Sequence, residues 1–440
     1  MRVASDGNGA VDRFDVAVIG GGLAGLTCAD ALAREGVGVV VLEAEEDVGG
    51  RARTVWHRGR PVDRGFQTVF AAYPRTRALV RRVGIPRRDM RPVSGGAVFH
   101  HGTHTTQLRG SRTGLARFAG LSGADRRRLM LLGAEVIRDP GGNLVGMVSE
   151  PERTEDHLRD RGFSDDAIEG FFRPFFGVVF QDRSLDTDAG YFRFLVGMMA
   201  RGPAIIPSDG VGMIAEWTAA SVRQHGGQVR PRATATTIEV DPSGHATGVR
   251  LADGELVPAD QIVLASEAPA ASRLLDGVDP TTARRVPDRP ASSVTAAFAL
   301  SVPLYSGRAI VIDCDPDPDP RFRLDLVCQT TNVTRPGAVE GPHIVLAMRI
   351  TTGGDPLDGI EEATERAVSR WSPGFPFGRV AEHIGNFVQP FAQFRTPPGV
   401  REELPGARTA VENLVLAGDL TRHPSFEGAV SSGEEAARIV

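Results

Sequence analysis

The chain has 440 residues, more than one hydrophobic core normally holds, and its apolar content of 41% can supply two sizeable cores. No run of 18 apolar residues occurs, which excludes a membrane-spanning helix, and Cys28, Cys314 and Cys328 are too isolated for a disulfide framework or a metal site. The 50 basic residues are all arginine, and the absence of lysine excludes chemistry through a lysine Schiff base.

The chain begins with a polar segment, residues 1–13, which contains glycine and lacks the basic start and apolar centre of a signal peptide. We therefore expect a disordered arm and a cytoplasmic protein.

An apolar strand, Asp15 to Ile19, runs directly into a glycine-rich turn and a helix from about Leu23 to Arg34. In such a unit Gly20 permits the tight turn, Gly22 lets the backbone approach a pyrophosphate, and Gly25 lets the helix pack closely on the strand. The free N–H groups and the positive dipole end of the helix would then face the phosphates.

Two features that follow this turn narrow the choice of nucleotide. Glu43 ends the next apolar run, Val39 to Leu42, where a carboxylate can accept hydrogen bonds from a ribose diol and would repel a 2′-phosphate. Arg51 comes directly after Gly49-Gly50 and can place its guanidinium against the pyrophosphate. Glu43 and the Gly-Gly-Arg unit together favour FAD over NAD or NADP.

Residues 51–128 are strongly basic, with 18 arginines and three acidic residues, although the whole chain has a net charge of −5. Solvated helix faces and pyrophosphate binding account for part of this charge. The remainder is consistent with an anionic surface, a carrier protein or a phosphorylated substrate, and hence with peripheral association with a membrane. Nucleic acid is not expected, because aromatic residues are few here and no binding module is recognisable.

Two groups of possible metal ligands have simpler explanations. His100, His101 and His104 lie on a predicted hairpin from Gly96 to Leu108, where strand alternation accounts for them. The aspartates between 313 and 319 lack the glycine and the terminal glutamate of a calcium loop. We expect no metal.

Aromatic residues are concentrated between 171 and 194, where they favour a hydrophobic core or the lining of a pocket for a lipophilic ligand. Arg173 lies within this stretch, and a buried guanidinium requires a partner.

A second glycine-rich segment, Asp209 to Ala215, resembles a nucleotide fingerprint only superficially. Pro207 interrupts the preceding apolar run, and no acidic residue ends the next strand. We interpret the segment as the start of a helix, followed by strands at Gln228–Val240, Ala246–Leu251 and Gln261–Ala265. Without a second nucleotide site, oxygen or a quinone is the expected electron acceptor.

Further strands are expected at Ser292–Leu300, Leu324–Val333 and His343–Ile350, as the sheet of a substrate domain. Near the C-terminal end, Asp419 follows an apolar strand, and its carboxylate can accept a hydrogen bond from a ribityl hydroxyl. A helix from Gly428 onward can stabilise negative charge on a flavin. No cysteine lies near this segment, so we expect the cofactor to be bound noncovalently.

These motifs resemble the FAD-dependent amine oxidase and carotenoid desaturase superfamily, and they are most similar to the phytoene desaturases of plants and cyanobacteria. The resemblance rests on residues 20–53, Phe70–Pro74 with Val83–Ile85, Gly418-Asp419 and Ser425–Gly433. It is loose from about 90 to 400, so substrate identity does not carry over.

Motifs and resemblance together imply a noncovalent FAD and a set of contacts to it. The expected contacts are Gly20, Gly22, Leu23, Ala24, Gly25, Glu43, Ala44, Gly50, Arg51, Gly418, Asp419, Gly428, Ala429 and Val430. The predicted fold is α/β, with a Rossmann-type, glutathione-reductase-like FAD-binding domain interleaved with an α+β substrate domain. The FAD domain comprises residues 14–70, 205–290 and 405–440, and the substrate domain comprises residues 71–204 and 291–404.

We therefore predict an FAD-dependent oxidoreductase, a dehydrogenase, desaturase or oxidase, that moves hydride from a lipophilic small molecule to flavin N5. An amine or amino-acid oxidase, a redox-neutral flavin-dependent isomerase and a Rab-GDI-like binding protein are the alternatives. The missing lysine counts against a typical amine oxidase. Candidates for orienting the substrate or moving a proton are Arg64, Gln67, Arg173 and His423, of which only His423 ordinarily titrates near neutral pH.

Overall fold

The computed structural model describes residues 13–102, 104–110, 112–138, 151–315, 317–337, 340–352 and 355–440. The predicted N-terminal arm, apart from Arg13, therefore lies outside the described residues. Among the residues in these ranges, no helix is both long enough and apolar enough to cross a bilayer. In the same ranges, no group of histidine, cysteine or acidic side chains is arranged to hold a metal ion.

The strands, in chain order, are β1 (Phe14–Ile19), β2 (Val39–Leu42), β3 (Thr54–His57), β4 (Arg60–Asp63), β5 (Val69–Phe70), β6 (Met90–Pro92), β7 (Gly96–His101), β8 (His104–Leu108), β9 (Ala204–Pro207), β10 (Gln228–Arg230), β11 (Ala235–Val240), β12 (Ala246–Leu251), β13 (Leu256–Leu264), β14 (Pro290–Leu300), β15 (Ala309–Asp313), β16 (Leu326–Gln329), β17 (His343–Thr351), β18 (Ala381–Phe394) and β19 (Leu414–Leu416).

The helices are α1 (Leu23–Arg34), α2 (Pro74–Arg82), α3 (Arg112–Ala116), α4 (Gly123–Arg138), α5 (Thr154–Asp160), α6 (Asp165–Ala167), α7 (Arg173–Phe180), α8 (Ala189–Arg201), α9 (Gly212–Gln224), α10 (Ala268–Asp276), α11 (Pro280–Ala283), α12 (Thr331–Thr334), α13 (Ile360–Trp371), α14 (Phe377–Val380), α15 (Val400–Glu403) and α16 (Phe426–Ile439). A π-helical turn, Ile168–Phe172, leads into α7.

The first sheet has the strand order β10-β2-β1-β13-β12-β11, with β19 beside β13. Strands β10, β2, β1, β13 and β19 are parallel, whereas β12 and β11 extend the sheet in antiparallel pairs. Helices α1, α9 and α16 pack on one face, and α10 packs on the other. This double cover explains why β2 and β19 are apolar and buried along their whole length.

The prediction of one strand from Gln228 to Val240 is wrong. The chain leaves one edge of the sheet after β10 and passes through Pro231 and Arg232. It then forms β11 at the opposite edge of the same sheet. Arg232 has a φ of +56°, and Pro231 cannot donate a hydrogen bond to a neighbouring strand. These two residues therefore end β10.

The second sheet has the strand order β18-β14-β17-β16-β15-β7-β8. Helix α13 packs on one face, and the other face contacts Phe66, which follows β4. The predicted strand Leu324–Val333 is shorter than expected, because β16 ends at Gln329. There the Gln329 amide donates to Asn332, which in turn donates to the carbonyls of Tyr305 and Gly307, and the chain turns into α12.

The aromatic stretch forms a hydrophobic core, as the first of its two interpretations predicted. Its rings pack edge-to-face or in parallel within one buried cluster, with centroid separations such as 4.8 Å between Phe176 and Phe192.

The predicted hairpin is also confirmed. Strands β7 and β8 are antiparallel and pair from Ala97 and Leu108 to His101 and His104.

Candidate functional site

The N-terminal and C-terminal motifs meet at the carboxyl edge of the first sheet, where Gly20 follows β1 and Gly418 lies just beyond β19. Helix α16 packs along α1, and a Cβ atom at Gly433 would overlap the carbonyl oxygen of Ala24. This contact places the segment that begins at Gly418 beside the glycine-rich turn.

The glycines of the first turn fit the roles that their spacing predicts. Gly20 has a φ of +110°, and a Cβ there would lie 2.7 Å from the carbonyl oxygen of Ala265. A Cβ at Gly25 would overlap the carbonyl oxygen of Gly20. At Gly22, by contrast, no heavy atom lies within 4 Å of an added Cβ. The turn is therefore packed tightly on the protein side and open at Gly22, at the N-terminus of α1 where Leu23 and Ala24 begin the helix.

Glu43 is buried at the end of β2, where two backbone groups fix its carboxylate. Its Oε2 accepts from the N–H of Gly21 at 2.7 Å and its Oε1 accepts from the N–H of Glu45 at 2.9 Å. Ala44, next to it, is exposed. The backbone of residues 230–233 hydrogen-bonds to residues 43–45 and completes this corner, which no sequence motif indicated.

Arg51 and Asp419 form an ion pair between the two predicted motifs. Arg51 Nη2 donates to Asp419 Oδ1 at 2.7 Å, and Nη1 donates to the carbonyl of Ala392 at 3.1 Å. Burial opposes the charge of Arg51, but the carboxylate of Asp419 outweighs it, so the pKa of the guanidinium is raised. Gly50 and Gly418, with φ of +56° and +132°, provide the backbone turns that bring the two side chains together.

The first turn of α16 is fixed by serine side chains. Ser425 Oγ accepts from the N–H of Gly428 at 3.0 Å, so this N–H is already used within the protein. Ser432 Oγ accepts from the N–H of Gly418 at 2.8 Å and ties the helix to the Asp419 loop. Val430 places its side chain in the core, and Ala429 is half-buried.

The same helix also holds α2, through a carboxylate that sequence reasoning missed. Glu427 is buried and accepts from the N–H of Arg75 at 2.9 Å, from the N–H of Thr76 at 3.0 Å and from Thr76 Oγ1 at 2.9 Å. Burial raises the pKa of Glu427 against the opposing effect of these hydrogen bonds. The carboxylate therefore caps the N-terminus of α2.

His423 differs from both interpretations of its sequence context. Its ring packs against Phe194 and Tyr191, with centroid separations of 5.0 and 5.9 Å, and Nδ1 lies 2.9 Å from Ser425 Oγ. Burial, together with the positive charge of Arg401, lowers the pKa of His423 to about 3. The histidine is thus a neutral, packed group rather than a solvent-exposed one or one that titrates near neutral pH.

Arg173 has protein partners for its guanidinium. It forms ion pairs with Glu169 and Glu155 and donates to the carbonyls of Arg183 and Ser184. These bonds raise the pKa of Arg173, and the hydrogen bond to Glu169 makes the largest contribution. These bonds connect α7 to its neighbours. They satisfy the guanidinium of Arg173 without any contact to a substrate.

Gln67 lies beside Arg51, and Arg64 lies against β18. Gln67 Nε2 donates to the carbonyl of Arg51 at 2.7 Å, and the Arg64 guanidinium lies 5.9 Å from the ring centroid of Phe387 on β18. Gln389 Nε2 donates to the carbonyl of Arg64 at 3.1 Å. The structure therefore joins Gln67 to the Arg51–Asp419 pair, whereas the contacts of Arg64 are with Phe387 and Gln389.

Two polar atoms on this side of the second sheet have no partner within the described ranges. Thr295 Oγ1 and Gln181 Oε1 are both buried. Thr295 lies opposite Phe387 and Met348 in the strand register, on the face that contacts Phe66. A buried oxygen without a hydrogen-bond partner is costly, so these two oxygens distinguish this face of the second sheet.

The second glycine-rich segment has no free helix terminus. The N–H of Val211 donates to Asp63 Oδ1 at 3.0 Å, and the N–H of Gly212 donates to Thr54 Oγ1 at 2.9 Å. These side chains occupy the place of an anion at the start of α9.

The site thus combines an open glycine turn, a fixed carboxylate after the second parallel strand and an arginine from a following Gly-Gly-Arg unit, which are the features expected of a dinucleotide-binding site. Residues 23–440 match the family described as flavin containing amine oxidoreductase. The chain belongs to this family. The predictions of the superfamily and of an FAD-dependent oxidoreductase are confirmed at the level of the family.

Individual relatives match over short segments. Amine oxidase [flavin-containing] A of Bos taurus is 62% identical over 64 residues, 14% of this chain and 11% of that protein. The carotenoid phi-ring synthase of Streptomyces griseus is 44% identical over 77 residues, 16% of this chain and 15% of that protein. The matched segments thus span less than a fifth of either relative.

Similarity in fold extends over the whole chain. The structure of an oxidoreductase from Methanosarcina mazei aligns with a TM-score of 0.74 at 17% identity, covering 96% of this chain and 99% of that one. The mixed α/β architecture is therefore shared.

Proposed function

We propose that the chain binds FAD noncovalently between α1 and the Asp419 loop, in a domain of the Rossmann, glutathione-reductase-like type. The observation that carries the proposal is the open position at Gly22, bordered by the Glu43 carboxylate and by the Arg51–Asp419 pair. Glu43 suits a ribose diol, Arg51 suits a pyrophosphate and Asp419 suits a ribityl hydroxyl. When bound, FAD would supply a hydride acceptor at N5; loss of a hydride from a substrate carbon and of a proton from the adjacent atom to solvent would leave a C=C or C=X bond.

The protein's own contribution is to position the substrate and exclude water. The face formed by Phe66, Met348 and Phe387 is apolar, which suits a lipophilic substrate. Thr295 and Gln181 offer oxygens that have no partner in the described part of the chain and that can orient the substrate. His423 is neutral, so it steadies the loop rather than taking up a proton. We propose oxygen or a quinone as the electron acceptor, because Asp63 and Thr54 occupy the second glycine-rich segment.

The test begins with the purified protein, which we expect to be yellow and to release FAD on denaturation by heat or acid. Lipophilic candidate substrates are then screened anaerobically for bleaching of the flavin absorbance. Bleaching by primary or secondary amines with release of hydrogen peroxide would favour the alternative, an amine oxidase. A flavin that stays attached after denaturation would contradict noncovalent binding.

We also propose that the basic region, residues 51–128, contacts an anionic membrane surface together with α4. This helix exposes Met130, Leu131 and Ile137 at 41%, 60% and 40%, spaced along one stripe with the exposed Arg127 and Arg138. The parent protein should co-sediment with vesicles that contain phosphatidylserine, whereas the M130S/L131S variant should not. Vesicles of phosphatidylcholine alone should bind neither protein. Equal binding of parent and variant would contradict this surface.

A further inference from the structure

A separate cavity of about 580 Å³ lies on the α13 side of the second sheet. Val98, Val311 and Val327 line its apolar part, and their side chains belong to the cluster that packs with α13. Its size is within the range of sites for small organic ligands.

The sheet itself separates this cavity from the proposed substrate face. Side chains alternate along a strand, so Phe99 and Ile312, the neighbours of Val98 and Val311, point into the aromatic cluster on the opposite side. Leu326, the neighbour of Val327, packs with Phe66. The cavity is therefore not part of the flavin site.

One wall of the cavity is a stacked pair of rings. His100 and Trp371 have a centroid separation of 4.7 Å and an interplanar angle of 20°. Burial lowers the pKa of His100 to about 4, with a further contribution from the nearby His101 and Arg370. The wall is thus flat, neutral and aromatic at physiological pH.

The charged residues at the cavity are all of one sign. Arg109, which is exposed, and Arg308, which is half-buried, both line it. In the described part of the chain neither guanidinium has a salt bridge, and none of the described lining residues is acidic. Two guanidinium groups beside an apolar cavity recognise an anionic head on an apolar body.

We propose that this cavity binds a small organic anion with an apolar, aromatic body. The rings and valines hold the body, and Arg109 with Arg308 holds a carboxylate or sulfonate head. The flavin-containing protein is titrated with 8-anilinonaphthalene-1-sulfonate, whose fluorescence rises in an apolar site. We expect one saturable site, from which 2-naphthoate displaces the probe at least about tenfold better than the uncharged 2-naphthylmethanol.

Three variants locate the site. R109A/R308A should raise the dissociation constant of the probe by about tenfold or more, whereas R81A/R87A, which removes two exposed arginines elsewhere, should leave it unchanged. Ala309→Leu, which adds a side chain inside the cavity, should abolish binding while the melting temperature reports that the fold is intact. The proposal is overturned if R109A/R308A and Ala309→Leu bind the probe as the parent does. It is equally overturned if binding is seen only after the flavin has been removed, because the probe would then be in the flavin site.

Discussion

Arg51 and Asp419 are 368 positions apart in the chain, yet Arg51 Nη2 lies 2.7 Å from Asp419 Oδ1. The pair links the N-terminal and C-terminal motifs through their side chains. Asp419 is buried and Arg51 is half-buried, so the pair is shielded from the solvent screening that weakens surface ion pairs. The proposed pyrophosphate and ribityl contacts are thereby arranged before a cofactor binds.

Gly22→Val is expected to abolish FAD binding, because the added side chain enters the open space at the start of α1. The variant should purify colourless, which the ratio of flavin to protein absorbance measures. Gly277→Val is the matched control, since its Cβ also meets no atom within 4 Å but lies after α10. Parental flavin content in Gly22→Val would remove this turn from the site.

Asp419→Ala should weaken FAD binding by about 1–3 kcal/mol, the usual cost of losing a hydrogen bond that involves a charged group. It also leaves Arg51 without its carboxylate. Titration of the cofactor-free protein by flavin fluorescence measures the change. The control is Asp260→Ala, which breaks an exposed ion pair with Arg13. An unchanged dissociation constant for Asp419→Ala would contradict the ribityl assignment.

Asp63→Asn tests a buried carboxyl that fixes the start of α9. Burial raises the pKa of Asp63 from 3.8 to about 6, against the hydrogen bonds from Thr54 and Val211. Because the folded state holds this proton more tightly than the unfolded chain, stability from this group is lost as pH rises from about 4 to 6. The variant should lose that part of the pH dependence of the melting temperature, whereas exposed Asp276→Asn should keep it.

His423→Ala should leave the pH profile of anaerobic flavin reduction unchanged between about pH 5 and 9, because the pKa of this half-buried imidazole is lowered to about 3. The melting temperature should fall, since the ring packs against Phe194 and Tyr191. Stopped-flow absorbance gives the profile. Loss of a titration near neutral pH in the variant would restore His423 as an acid–base group.

Thr295→Val should lower kcat/KM for the natural substrate while raising stability by about 1 kcal/mol, because it removes a buried hydroxyl that has no partner in the described protein. Thr334→Val provides the comparison. Thr334 Oγ1 is also buried and unpaired among the described residues but lies on α12, so that variant should gain stability and keep kcat/KM. Equal kcat/KM in both variants would argue against a substrate contact at Thr295.

The local parts of the site could be predicted from the sequence. Gly20, Gly22 and Gly25 act through the backbone of one turn, so their spacing carries most of the information. Strand β2, which Glu43 follows, could likewise be predicted from a short apolar run. The same holds for the rejection of a nucleotide site at 209–215, which Pro207 indicated and the structure explains.

Contacts that join distant segments could not be predicted in this way. Glu427 follows a serine cap, and nothing in its surroundings indicates that it caps α2 about 350 positions earlier. Thr295 lies within an ordinary apolar strand, and only the packing of the sheet shows that its hydroxyl has no partner among the described residues. Burial changed the interpretation of His423 for the same reason, since the rings that surround it come from α8.

The joining of the two ends by α1 and α16 has a consequence for biosynthesis. A ribosome adds about 5–20 residues per second, so the glycine-rich turn is made roughly 20–80 s before Asp419. During that interval the face of α1 that α16 covers is without its partner, and the proposed FAD contact of Asp419 does not yet exist. If the proposed site is correct, full incorporation of the cofactor follows translation of the C-terminal segment, and a nascent chain arrested before Gly418 would lack the part of the proposed site that Asp419 supplies.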